Sequence, residues 1–341
     1  MTLTLRIDRA RWEAHQQSLL DETPGLVPVA KGNGYGFGLR LLAQQATRLG
    51  VDTIAVGIAQ EVVEVRAGGF AGDVVVLNPW RPFDAAATAL LGEAGVIATV
   101  SRAEDLRALA AAHPGTRVIV ELETSMHRHG LAPADLTAAD LDGIDLVGWA
   151  VHLPATGSAT EARALASTSR AARQAPVWFS HLGLDDYRAL RAELGDEARM
   201  RVGTRLWLGD KGAYATLADV LDVHRIAKGS PLGYHQVRAP RDGFIVIASG
   251  GTAHGVAMAA PVPQRSLRQR GVTVAQGVLD AVGRTLSPYE IGGKKRSFAE
   301  PPHMHSSMIF VPGPTCPVAV GDRIPVTTRM TTVTVDAIDL A

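Results

Sequence analysis

Residues 26–38 read Leu26-Val27-Pro28-Val29-Ala30-Lys31-Gly32-Asn33-Gly34-Tyr35-Gly36-Phe37-Gly38, an apolar run of strand type that ends in a lysine and breaks into alternating glycines. A lysine closing a buried strand is costly unless its charge or its amine is used. The glycines let the backbone turn sharply or approach a ligand closely, and Tyr35 adds one hydroxyl among them. Taken alone, the segment also fits a plain strand with a snorkelling lysine and a flexible turn.

The flanking sequence decides the fold. From Val27 onward, apolar runs alternate with alanine-rich helical stretches. Strands are predicted over 26–30, 53–56, 74–77, 96–100, 117–122, 146–151, 177–179 and 199–202. Helices are predicted over 39–49, 59–67, 102–112, 161–173 and 184–194, and a strand over 3–7 and a helix over 10–20 come first. Eight such strands alternating with helices over roughly 200 residues are the count of a TIM-type (β/α)8 barrel. A doubly wound open sheet would call for GxGxxG at its first helix; here glycine falls at every second position, so that fingerprint is not matched. From about residue 210 the texture changes to short β runs, 244–249, 306–311, 323–327 and 331–335, broken by Gly250-Gly251, Gly292-Gly293 and several prolines. The expected division is a barrel over 8–225 and a smaller, mostly-β C-terminal domain over 226–341, joined by the N-terminal strand 1–7.

Composition narrows the ligand. The 341 residues are 46% hydrophobic, ample for a core, and Lys plus Arg balance Asp plus Glu at 34 each. With no net field, neither nucleic acid nor an anionic membrane is expected, and a small molecule is. The single cysteine, Cys316, excludes an internal disulfide framework and a cysteine-rich zinc site. The first residues, MTLTLRIDRARW, carry charges where a signal peptide needs an apolar core, and no apolar run approaches membrane-spanning length. The expected location is the cytoplasm.

In a barrel, function gathers at the C-terminal ends of the strands. The polar residues there are Lys31 and Tyr35, then Glu121, Glu123, Met126 and Arg128, then His152, then Ser180 and His181, then Arg201, Gly203 and Thr204. A lysine, a tyrosine, two arginines and a histidine around one mouth suit an anionic, carbonyl-bearing ligand. The chemistry such a set allows is Schiff-base formation by an amine whose pKa is lowered by cations and burial.

These residues resemble the alanine racemases, pyridoxal-phosphate enzymes of fold type III. Lys31 to Gly38 is similar to that family's KANAYGHG segment. ELETSMHRHG, Glu121 to Gly130, resembles KxDTGMxRxG, and His152 matches the histidine ending the sixth strand. RVGTRLW, Arg201 to Trp207, resembles RPGIALY; Gly233-Tyr234 resembles the GY opening the β domain; HMHSSMIFV, His303 to Val311, resembles the CMDQxMVD strand. The resemblance runs from about Leu5 to Ile338. It implies pyridoxal 5′-phosphate as cofactor, held by Lys31 as an internal aldimine, with Lys31 also acting as acid or base at the substrate α-carbon. It further implies Tyr35, Ser180 and the N–H groups of Gly203 and Thr204 on the phosphate, and Arg201 at the pyridine nitrogen supported by His152. Arg128 would approach the cofactor's phenolic oxygen or the substrate carboxylate. An arginine keeps its proton, so it weakens the ring as an electron sink, which in the family is thought to favour simple proton exchange over transamination. A homodimer with shared sites is implied, each completed by the partner's β domain.

Racemisation by two bases needs a group on each face of the planar intermediate. The family's second base is a tyrosine in IGYADG; the matching segment here, Gly250 to Gly255, has Thr252 at that position, and a threonine hydroxyl is a poor proton carrier. His254 and His305 are the candidate replacements, with His303 as a further one, because histidine titrates near neutrality. The family's lysine in KxDTGM is Glu121 here, its aspartate after CM is His305, and the chain ends at Ala341 without the family's C-terminal tyrosine segment. His303 and His305, at i and i+2, would share one face of a strand and could hold a metal, though no metal is the expected outcome. The expected reaction is racemisation or epimerisation of a small amino acid. The alternatives are a D-amino-acid aldolase, dehydratase or decarboxylase, or a non-catalytic pyridoxal-phosphate-binding protein.

Overall fold

A computed structural model of the chain describes residues 2–135, 141–258 and 285–341. They form two compact units, Glu13–Asp210 and Met1–Trp12 with Lys211–Ala341. In chain order the elements begin with β1 (Leu3–Ile7), α1 (Arg9–Glu22), β2 (Leu26–Pro28), α2 (Leu39–Arg48), β3 (Thr53–Val56), α3 (Glu61–Ala67), β4 (Asp73–Val76), α4 (Ala85–Ala89) and β5 (Val96–Val100). They continue with α5 (Ala103–Ala112), β6 (Arg117–Leu122), β7 (Asp145–His152), α6 (Ala159–Ala172), β8 (Val177–Ser180), α7 (Leu184–Leu194), β9 (Ala198–Val202), α8 (Thr204–Leu208) and β10 (Tyr214–Ile226).

Strands β2 to β9 pair in parallel in the order β2-β9-β8-β7-β6-β5-β4-β3. A parallel bridge between Val29 and Ala55, with the Ala30 N–H donating to the Ala55 carbonyl at 2.8 Å, joins β2 to β3 and closes the ring. Fold class thus follows the expected barrel. Such strands are covered on both faces, which is why Thr53–Val56 and Val96–Val100 are buried at every position. One set of side chains, among them Leu106, Leu109, Trp149, Ala162, Phe179 and Leu190, fills the space between strands and helices. The other set, Val27, Val29, Ala55, Val75, Ile97, Ile119, Ala150 and Trp178, forms a separate core cluster inside the barrel. Gly148 makes room for that tryptophan: a Cβ there would lie 2.6 Å from Trp178 Nε1.

The pleat then positions the site. Side chains at i and i+2 of a strand point the same way. Two residues beyond Val29, Ile119, Ala150 and Trp178 of the apolar cluster come Lys31, Glu121, His152 and Ser180, and two beyond Arg199, which stacks on Trp178, comes Arg201. A polar layer therefore caps the apolar plug at the C-terminal ends of the strands.

The second unit continues with β11 (Pro231–Leu232), β12 (Val237–Arg238), β13 (Gly243–Ser249), β14 (Leu286–Glu290), β15 (Lys295–Phe298), β16 (Ser306–Pro312), β17 (Arg323–Val326) and β18 (Ala337–Leu340). Its main sheet runs β13-β16-β15-β14-β17-β10-β1-β18, and β10 pairs back onto β13. The units change over at Asp210–Lys211 rather than at 225–226, because β10 hydrogen-bonds along its length to β1, β17 and β13 of the second unit. The strand expected over 331–335 is a turn instead. The Arg329 carbonyl accepts the N–H groups of Thr332 and Val333 at 2.9 Å, and the strand forms later, at β18, parallel to β1. β-Branched residues favour strands only where a partner edge is available. Among the described residues no helix is long and apolar enough to cross a membrane.

Candidate active site

Lys31 stands at the end of the β2 segment, and the turn after it is built around Tyr35. Tyr35 has a left-handed φ of 55°, uncommon for a residue with a side chain, and this turns its ring inward, where it is buried. Its hydroxyl packs against Gly203: a Cβ there would fall 2.1 Å from the phenolic oxygen. Burial pushes the phenol up to about 12, although a hydrogen bond with the Thr204 side chain pulls the other way. Tyr35 is therefore a protonated donor at neutral pH. Thr204 opens α8, and Trp207 on the same short helix donates to the Val29 carbonyl at 2.8 Å, tying this corner to the end of β2.

Three neighbouring strand ends supply the next group. His152 and Ser180 are registered partners on β7 and β8. The Ser180 hydroxyl lies 2.6 Å from His152 Nδ1 and accepts from an Arg201 terminal nitrogen at 3.4 Å. The link expected from His152 to Arg201 thus runs through Ser180. Burial, with Arg201 and Arg128 next, pulls the His152 ring down to about 3, so it is neutral at physiological pH. Ser180 thus links the neutral His152 ring, through Nδ1, to the Arg201 guanidinium. Arg201 is buried on β9, and burial brings it down to about 10, opposed by Glu121. Its Nε is buried with no hydrogen-bond partner among the described residues.

Lys31 completes the cationic set. Its side chain reaches solvent, yet desolvation by the surrounding wall holds the amine below the ordinary lysine range, with Arg128 and then Arg201 adding to the effect and Glu61 opposing it. Arg128 is half exposed and lies 3.6 Å from the buried Glu121 carboxylate. His181, whose ring meets His152 edge-on at 5.1 Å, is also lowered, first by burial and then by Arg201 and Lys31. The result is a mouth rich in donors, with an amine biased towards its neutral, nucleophilic form.

Two carboxylates that sequence reasoning passed over hold the loops carrying these cations. Glu61 accepts the Gly32 N–H at 2.7 Å and the Gly57 N–H at 2.6 Å. Glu161, in the first turn of α6, accepts the Ser125 N–H at 2.6 Å and its hydroxyl at 2.9 Å, fixing the loop before Arg128. The available signal was a glutamate in the first helical turn after each strand end.

The histidines singled out around Thr252 lie in the β unit. The backbone at 250–253 runs beside 303–305, with the Thr252 N–H donating to the His303 carbonyl at 2.9 Å and the Gly250 N–H to that of His305 at 3.0 Å. His254 is buried; its Nδ1 accepts the Gly251 N–H at 3.2 Å and its Nε2 lies 3.0 Å from Asp336 Oδ1. Both ring nitrogens are thereby engaged. His303 Nε2 lies 2.7 Å from the buried Glu300 carboxylate, and its ring packs on exposed Tyr234. His305 is exposed, its ring edge-on to His254 at 5.8 Å. Among the described residues no group of three or more His, Cys, Asp or Glu is placed to hold a metal ion.

A family model described as alanine racemase, N-terminal domain, matches residues 7–182. The chain is 29% identical to the alanine racemase of Desulfovibrio desulfuricans over 163 residues, 45% of this chain but only 43% of that protein. It is 28% identical to the alanine racemase of Corynebacterium efficiens over 287 residues, 76% of this chain and 77% of that one. The fold is shared with an alanine racemase from Bartonella henselae, solved with covalently bound pyridoxal phosphate, at a TM-score of 0.72 and 16% identity over 98% of both chains.

The donor set fits pyridoxal phosphate. That molecule presents an aldehyde, a phosphate, a phenolic oxygen and a pyridine nitrogen. The barrel mouth offers a lowered amine at Lys31, a buried protonated phenol at Tyr35, and a buried arginine whose Nε is orphaned. An unsatisfied buried donor in a polar layer is costly unless a ligand acceptor meets it.

Proposed function

This chain belongs to the alanine racemase family, and from that premise we propose that it is a pyridoxal-phosphate-dependent racemase or epimerase of a small amino acid, working at Lys31. The observation that carries the reading is the lowered Lys31 amine among Arg128, Arg201 and a neutral His152 at the barrel mouth. Bound pyridoxal phosphate supplies a carbonyl carbon for an amine and a conjugated ring that accepts the electron pair of a broken Cα–H bond.

The protein's own groups do the rest. Lys31 would hold the cofactor through its amine and move a proton at Cα on one face. Tyr35, Ser180 and the N–H groups of Gly203 and Thr204 would hold the phosphate. Arg201, steadied by Ser180 and His152, would donate to the ring nitrogen and keep it unprotonated, since an arginine does not surrender its proton. Arg128, paired with Glu121, would orient an anionic oxygen. For the opposite face we favour His305 over His254, whose two ring nitrogens are already engaged within the β unit. Family resemblance supports a homodimer in which the partner subunit's β unit completes each site.

Thr252, where the family has its tyrosine, favours a second reading: an aldolase, dehydratase or decarboxylase of D-amino acids, or a protein that binds the cofactor without turnover. The first test is attachment. Borohydride treatment after incubation with pyridoxal phosphate should fix one pyridoxyl group on Lys31, and Lys31→Ala should abolish it. Label elsewhere, or none, contradicts the proposal.

A further inference from the structure

The Glu61 carboxylate makes two kinds of contact. Its Oε2 accepts the N–H groups of Gly57 at 2.6 Å and Ile58 at 3.3 Å, which closes the start of its own helix. Its Oε1 turns away from the helix and accepts the Gly32 N–H at 2.7 Å. A helix cap has no need of that second contact. Gly32 directly follows Lys31, and Gly57 directly follows β3, the strand beside it in the barrel. One carboxylate therefore spans the two strand ends between which Lys31 emerges.

Packing says the same. A Cβ at Gly57 would sit 3.1 Å from Lys31 Cβ and 3.1 Å from Glu61 Oε2, so the lysine stem and the carboxylate flank the space over the same glycine. Before Lys31 the backbone is pinned by the Ala30 N–H on the Ala55 carbonyl, but after it four left-handed glycines, Gly32, Gly34, Gly36 and Gly38, give the chain little stiffness of its own.

We propose that Glu61 is a positioning residue for Lys31: its carboxylate ties the backbone after the lysine to the end of the neighbouring strand and so fixes where the amine stands in the barrel mouth. The proposal rests on the reading of Lys31 as the working amine. Glu61 also supplies the negative charge that partly offsets the lowering of Lys31 by desolvation, Arg128 and Arg201. A side chain with a purely architectural role would not move that titration.

The test uses the full chain with 13C-methylated lysines. There are only five, so each NMR signal is assignable by single Lys→Arg variants. In Glu61→Gln the size is kept, the charge is lost, and the amide cannot accept on both sides. The Lys31 midpoint should move to lower pH while Lys211, Lys228, Lys294 and Lys295 stay put. In a separate, unmethylated sample, where Lys31 keeps its primary amine, retention of added pyridoxal phosphate should weaken by about tenfold, the equivalent of one charge-assisted hydrogen bond. An unmoved Lys31 midpoint overturns the proposal. Should Glu61→Gln fail to fold, Glu61→Asp keeps the charge but is too short to span both N–H groups; hydrogen exchange at Gly32 should then quicken, and exchange as slow as in the parent chain overturns the proposal. Neither the titration nor the exchange needs turnover. A chain that holds Lys31 in this way yet racemises nothing would sink the proposed function and leave the role of Glu61 standing.

Discussion

Tyr35 and Gly203 are fitted to one another: a single methyl group on Gly203 would lie 2.1 Å from the Tyr35 hydroxyl and 3.0 Å from its ring carbon. A buried phenol held so closely has one place to be. Gly203→Ala should therefore displace the Tyr35 ring while leaving the barrel intact, because the clash falls on the tip of a side chain. Affinity for pyridoxal phosphate should drop by about tenfold or more, as for one good hydrogen bond to a charged group. Equilibrium titration of the cofactor checks this, with Tyr35→Phe as the matching loss and near-parental thermal stability in both variants.

The neutral His152 makes stability depend on pH with a definite sign. Its ring titrates at about 3 in the folded chain against 6.5 when unfolded, mainly because it is buried, with Arg201 and Arg128 adding to the effect. Between those values the unfolded state binds the proton and the folded state does not. Stability from this group is thus complete above pH 6.5 and is lost progressively as pH falls towards 3. Denaturant midpoints should fall from pH 7.5 to pH 5, and His152→Asn should flatten part of that fall. His181, lowered by the same surroundings, should account for a further part.

His254 and His305 should behave oppositely. His254 is buried, with the Gly251 N–H on one ring nitrogen and Asp336 at the other, so His254→Ala strands both partners. It should cost about 2–3 kcal/mol of stability, read by chemical denaturation. Exposed His305 should be replaceable by Gln with no change in the denaturation midpoint. If it carries a proton to one face of Cα, that variant should lose solvent exchange with one enantiomer and keep it with the other.

Much of this architecture could be read from the residues because of how parallel strands are buried. Covered on both faces, they appear as continuous apolar runs, and the first polar residue after such a run marks the barrel mouth. Lys31 and His152 were visible for that reason, whereas Arg201, inside the Ala198–Val202 strand and preceded by Arg199, was visible through the RVGTRLW segment instead. Glu61 was not: a glutamate in a first helical turn looks like any other until the fold brings Gly32 against it. The Ser180 bridge between His152 and Arg201 depends likewise on the register of β7 against β8, which no local pattern fixes. The β10 strand, Tyr214–Ile226, ran across the expected domain boundary because its partners, β1, β13 and β17, are distant in sequence.

The most direct test of the account is proton exchange at Cα. The purified chain, loaded with pyridoxal phosphate, is incubated in deuterated water with L-alanine or D-alanine, and with other small amino acids, then followed by NMR and chiral chromatography. Deuterium should appear at Cα and both enantiomers should form from either one, all lost in Lys31→Ala. Release of aldehyde, ammonia or carbon dioxide, or no exchange with any amino acid tested, would contradict the proposed racemisation.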